Sequence, residues 1–128
     1  MWETIQKRID SFKYAFKGIY WLFTTQPNAV IHGVMTIIVI LGGFFFQITT
    51  TEWCLCLISI AFVLSAEAFN SALEFLTDLV SPQYHELAGK AKDTAAAAVL
   101  IAAFGAIGVG VIIFLPKVWE LVVKFFLE

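Results

Sequence analysis

The sequence predicts an all-α membrane protein: one amphipathic helix on the membrane surface, then three transmembrane helices. Three observations predict it. The first is composition. Of 128 residues, 60% are apolar and 14% are charged, against about 25% charged in soluble domains. A chain this short leaves much of its surface outside any core, so that much apolar surface needs lipid. This excludes a soluble enzyme, a disordered chain and a disulfide-stapled secreted module. The second is three long apolar runs, at 29–48, 53–66 and 95–115. The third is the clustering of basic residues, four of the eight lying between Lys7 and Lys17.

The whole chain, 1–128, reads as one domain. Residues 1–26 form its surface helix. Ile5, Ile9, Phe12, Phe16, Ile19 and Phe23 recur at helical steps, with Lys7, Arg8, Lys13 and Lys17 mostly off that stripe. Such a helix lies flat, rings toward acyl chains and lysines toward anionic headgroups. Its charged, amphipathic start, Met1 to Phe16, does not read as a cleavable signal peptide. Pro27 ends or interrupts this helix, and Asn28 offers a cap for the next.

The first membrane helix is 29–48, with no Asp, Glu, Lys or Arg in 20 residues. About 20 residues are needed to cross about 30 Å of hydrocarbon. The third, 95–115, is equally uncharged and rich in small residues, including Gly105, Gly108 and Gly110. Such residues let helices approach closely in lipid. The second begins at Trp53, an interface anchor, and extends to residue 80, out of the apolar layer into the cytosol.

Lys and Arg placement sets orientation. Six basic residues flank the N-terminal helix and the second-to-third connection, and two follow the third span. The N-terminus and that connection are therefore expected in the cytosol, with the tail from Pro116 outside. A net charge of −2 gives no reason to expect nucleic acid as a partner. Cys54 and Cys56 sit two apart in an apolar run, on different helix faces, and read as small apolar residues.

The informative departure lies in the second span. After 14 uncharged residues, the helix continues through Glu67, Asn70, Ser71, Glu74 and Asp78. At 100° per residue, Glu67, Asn70, Glu74 and Asp78 share a face about 80° wide, and Ser71 borders it. Phe69, Leu73 and Leu76 lie opposite. Glu67 is 14 residues past Trp53, or about 21 Å along the axis. That is about 9 Å short of the far interface. A carboxylate at that depth is costly and is expected to face protein or water and to serve function. Glu74 lies about 10.5 Å further toward the cytosol, where a water-borne ligand arrives.

The connection 81–93 gathers His85, Glu86, Lys90, Lys92 and Asp93. Its lysines suit phosphate and its carboxylates suit magnesium or a ribose. The plain alternative is that Asp93 caps the third helix and the lysines obey the inside rule.

The run Glu67-Ala68-Phe69-Asn70-Ser71-Ala72-Leu73-Glu74, then Asp78, then Tyr84 through Asp93, resembles the prokaryotic diacylglycerol kinase and undecaprenol kinase family. So do Ala97-Ala98-Val99-Leu100 and the segment from Ser11 to Gly18. The resemblance implies a homotrimer with active sites between subunits. It implies transfer of the γ-phosphate of ATP, with Mg2+, to a membrane lipid alcohol, undecaprenol or diacylglycerol. Glu67 matches the catalytic base. Glu74 matches a metal ligand at the nucleotide. Lys7, Tyr14, Asn70, Tyr84, His85, Lys92 and Asp93 match the nucleotide site. One departure stands out. The family commonly has Glu as a second metal ligand before the first span, and here the position is Gln26. A basic residue often found four positions later is Val30. An amide oxygen ligates magnesium with less charge.

The reading is therefore a multi-pass lipid kinase of the inner (cytoplasmic) membrane, its active site facing the cytosol. The rival is a non-enzymatic oligomeric membrane protein, or an ion or proton pathway, using Glu67, Asn70, Glu74 and Asp78.

Overall fold

The computed structural model describes residues 2–126. Met1 and positions 127 and 128 of the expected domain lie outside the described residues. Four helices follow one another: α1 (Trp2–Thr25), α2 (Pro27–Phe45), α3 (Thr50–Val80) and α4 (Glu86–Phe126). The chain is all-α, and α2, α3 and α4 are each long and apolar enough to cross a membrane.

α1 stops where proline dictates. A residue before proline is pushed to extended backbone, and Gln26 adopts φ −113° and ψ 105°. Its N–H still bonds Leu22 O at 3.2 Å, closing the last turn of α1. Pro27 then occupies the first position of α2, which its fixed φ suits. Asn28, read as a cap, lies inside the first turn instead. Gln26 is the N-cap, with no side-chain capping bond. α1 reaches the other helices near its C-terminal end. Leu22 is buried, and the Phe23 ring lies so close to Gly33 that an added Cβ would sit 2.9 Å from it. The expected stripe of Ile5, Ile9, Phe12, Phe16 and Ile19 is left exposed by the rest of the chain.

α2 and α3 are joined by a tight turn. Ile48 N–H bonds Gly43 O at 3.1 Å and Phe46 N–H bonds Gly42 O at 2.8 Å, wrapping the helix end. Gln47 takes φ +50° there, a left-handed conformation that favours glycine. Gln47→Gly is therefore expected to raise stability by about 0.5–1 kcal/mol. A higher unfolding midpoint in detergent, at unchanged helicity, is the result to look for. Gly43 is fixed by packing: an added Cβ would lie 2.6 Å from the Trp53 ring. Trp53 and Phe44 meet with centroids 5.0 Å apart.

Thr49 and Glu52 open α3 with a capping box. Glu52 N–H donates to Thr49 Oγ1, and Thr49 N–H donates to Glu52 Oε2 at 2.7 Å. The free Glu52 oxygen pairs with Lys117 Nζ at 2.9 Å, tying α3 to α4 at this end. Beside it lies a small core of Ile48, Cys56 and Ile113, with Trp53 and Phe114 packed against it. Cys56 is buried and Cys54 exposed, both free, as their two-residue spacing predicts.

α4 is longer than the apolar run that announced it. It starts at Glu86 and continues through Pro116 to Phe126, 41 residues in all. Residues 86–92 are mostly good helix formers, and Glu86 pairs with Lys90 one turn on at 2.7 Å. His85 Nδ1 accepts Leu87 N–H at 3.2 Å and completes the start. Asp93, read as a possible cap, therefore lies inside the helix. α3 and α4 run antiparallel and form the most extensive interface. Ala95, Val99 and Ala102 are buried along α4. Gly105, Gly108 and Gly110 face open space in the single chain.

Candidate functional site

The polar stripe of α3 turns inward. Glu67 is 1% exposed, and Asn70 and Ser71 are also buried. Glu74 is half-buried and Asp78 exposed, so access to water grows along the helix. Phe69, Leu73 and Leu76 on the opposite face are exposed, as an outward, lipid-facing surface should be. The face assignment made from 100° steps holds.

A cavity of about 220 Å³ lies between the helices at Glu67. α2 contributes Asn28 and His32, α3 contributes Glu67 and Asn70, and α4 contributes Ala96, Val99, Leu100 and Ala103. Among the described residues, neither Glu67 carboxylate oxygen nor Asn70 Oδ1 has a hydrogen-bond partner, and all three are buried. Buried polar groups are normally satisfied, and an unpaired carboxylate costs several kcal/mol. The described residues thus supply no donor to this carboxylate. Ser71 adds nothing to it, since its hydroxyl donates to Glu67 main-chain O at 2.8 Å.

Toward the C-terminal end of the stripe, Gln26 Nε2 donates to Glu74 Oε2 at 3.2 Å. The two residues expected to share a metal meet across 48 positions of sequence. The antiparallel register explains this: as α2 climbs from Gln26 to His32, it passes α3 from Glu74 back to Glu67. Among the described residues, no three of His, Cys, Asp or Glu gather as a metal cluster. Glu74 brings a carboxylate here, and the Gln26 amide, which turns its nitrogen to Glu74 in this structure, would add an oxygen on turning over. That set fits magnesium, which usually keeps several waters and binds through one or two carboxylates plus substrate phosphates.

Lys92 Nζ donates to Asp78 Oδ1 at 2.8 Å, linking the first turns of α4 to the end of α3. Lying before the apolar stretch of α4, Lys92 is held above the usual lysine range by that hydrogen bond. Lys7, Tyr14, Tyr84, His85 and Asp93 are exposed. Their side chains make no hydrogen bond to the stripe among the described residues. A single chain therefore brings together Glu67, Asn70, Glu74 and Gln26 but not these five.

His32 escaped the sequence reading, because a neutral histidine does not interrupt a run defined by Asp, Glu, Lys and Arg. A signal existed. Asn28 and His32 are four apart, on one face of an otherwise greasy helix.

The family model described as prokaryotic diacylglycerol kinase matches residues 13–114. A diacylglycerol kinase of Synechocystis is 37% identical over 123 residues, 95% of this chain and 70% of that protein. An undecaprenol kinase of Bacillus subtilis is 35% identical over 113 residues, 88% of this chain and 92% of that protein. A diacylglycerol kinase of Escherichia coli K12 is 31% identical over 94 residues, covering 73% and 77%.

Proposed function

The chain belongs to the prokaryotic diacylglycerol kinase family and is a lipid kinase, and from that premise we propose that Glu67 is the base that receives the proton of a membrane lipid alcohol. The carrying observation is Glu67 itself: fully buried, without a partner, and opening on a cavity walled by α2, α3 and α4. An incoming hydroxyl is the kind of donor such a carboxylate lacks. As its oxygen attacks the γ-phosphorus of ATP, the proton passes to Glu67. The bond from γ-phosphorus to the bridging oxygen breaks, and ADP leaves. Phosphoryl transfer needs positioning and charge neutralisation more than covalent help.

Glu74 and Gln26 would hold Mg2+, which supplies positive charge to the nucleotide phosphates. Glu67 and Glu74 are seven residues apart, about 10.5 Å along the helix. That spacing leaves room for the reacting phosphoryl group between acceptor and nucleotide. Asn70, midway, orients the group through its amide. Lys92 and Asp93 serve the nucleotide from the start of α4, with Tyr84 and His85 from the preceding turn.

The site is completed by neighbouring copies in a homotrimer. Two features support this. The stripe of α1 and the glycine face of α4 are left uncovered by the rest of the chain. Lys7 and Tyr14 do not reach Glu67 or Glu74 within one chain, so another subunit's site is where they would act. The excess of basic residues near α1 and the start of α4 supports a cytosolic position for this end.

The acceptor is undecaprenol or diacylglycerol. Incubating the purified protein in detergent with magnesium ATP and a panel of both lipids tests the reading. Phosphorylation of one, with matching ADP release, supports it. Proton or ion flux that ignores ATP, with no phospholipid formed, overturns it.

A further inference from the structure

His32 has no part in the assignment above, yet it shares the cavity with Glu67. It is half-buried, one turn deeper along α2 than Asn28, and the cavity's remaining wall on α4 is wholly aliphatic. Within that cavity, Glu67 offers two oxygens, and no donor among the described residues reaches either. The acceptor alcohol brings one hydroxyl and so satisfies only one of them. Leaving the other bare in an apolar niche would keep the carboxylate costly and free to rotate. Asn70 stands on the same helix as Glu67, and Asn28 is exposed near the helix entrance. His32 is the half-buried donor that approaches from a different helix.

We propose that His32 is a positioning residue for Glu67. Its ring N–H holds one carboxylate oxygen when the alcohol engages the other, so that the free lone pair points at the hydroxyl proton. This rests on the lipid kinase reading. It predicts that His32 acts on the rate of transfer rather than on nucleotide binding. It also predicts that any neutral side chain carrying an N–H at the same reach can replace it.

The test uses the full chain in detergent with magnesium ATP and the lipid alcohol that the wild type phosphorylates. His32→Leu keeps bulk but removes the donor, and His32→Gln returns one. His32→Leu is expected to lower kcat about 10- to 100-fold with KM for ATP unchanged, a part of the roughly 10²–10⁴ that a positioned base supplies. His32→Gln is expected to recover most of that loss. Wild-type kcat in His32→Leu overturns the proposal, and so does an equal loss in both variants.

A second readout needs no turnover. The infrared carboxylate bands of Glu67 are isolated by difference from Glu67→Gln, with the lipid alcohol bound. They should shift in His32→Leu and return in His32→Gln. Unshifted bands overturn the proposal even where the rate falls. If His32→Leu does not assemble, His32→Ala with free imidazole added gives the same comparison in one protein. Regained rate supports the proposal, and none overturns it. Absence of lipid phosphorylation in the wild type would instead sink the kinase reading, and the infrared comparison tells the two failures apart.

Discussion

Glu67→Gln is expected to reduce lipid phosphorylation by roughly 10²–10⁴-fold, the contribution of a well-placed general base, while leaving the fold as stable as before or more so. The two halves come from one observation. Glu67 is buried and neither oxygen has a partner. Ionising a carboxyl in that position carries a solvation cost, and an amide of the same shape, which does not ionise, avoids it. A residue whose only task is to join helices behaves in the opposite way: its neutral variant loses stability along with activity. Kinetics with a lipid alcohol and an unfolding midpoint in the same detergent check both halves. A large activity loss accompanied by a fall in midpoint would count against a catalytic role. Raising ATP should not restore the rate, because the missing group takes a proton rather than holding the nucleotide.

Glu74→Ala should fail differently. Outer-shell partners of a bound metal are worth roughly 10- to 100-fold in affinity, and a direct carboxylate ligand is worth more. Activity is therefore expected to fall at least about 100-fold at low magnesium and to recover in part as magnesium is raised. The variant also removes the acceptor of the Gln26 hydrogen bond. Gln26→Ala breaks the same bond and removes the neutral amide while keeping the carboxylate, so its deficit should be smaller than that of Glu74→Ala and should also be relieved by magnesium. A magnesium titration of both variants is the measurement. If Glu74→Ala shows a fixed deficit at every magnesium concentration, Glu74 does not ligate the ion.

Much of this architecture can be read in the sequence because lipid is an unforgiving solvent. Three runs without charge predict three spanning helices, and three suitable helices are present. A carboxylate just past such a run, still at membrane depth, demands a protein-facing direction, so the face carrying Glu67, Asn70 and Glu74 followed from helical angle alone. What was hidden obeys other physics. Helix ends answer to local chemistry rather than to hydropathy. Gln26 caps α2 because Pro27 follows it, and α4 starts at Glu86 because its first turns are good helix formers. His32 was hidden because histidine does not count among the Asp, Glu, Lys and Arg that break an apolar run. The meeting of Gln26 with Glu74 is a matter of antiparallel register, which a lone sequence does not print. Lys7 and Tyr14 lie on α1, which meets the other helices only near its C-terminal end, so the chain's own packing leaves them exposed.

The polar ties between helices sit at the two ends of the bundle. Lys117 meets Glu52 at one end, and Lys92 meets Asp78 at the other. On α4 those lysines are 25 residues apart, about 37 Å along a straight helix, which exceeds the roughly 30 Å of a hydrocarbon slab. The molecule is thus clamped to its host at a set immersion, since sinking or rising would drag an ion pair into oil. Between the clamps, the height of Glu67 is fixed by the protein, while the height of an alcohol's head is fixed by the lipids around it. If Glu67 is the base proposed above, transfer requires the two heights to agree, and acyl-chain length becomes a tuning knob for an enzyme whose own atoms have not moved.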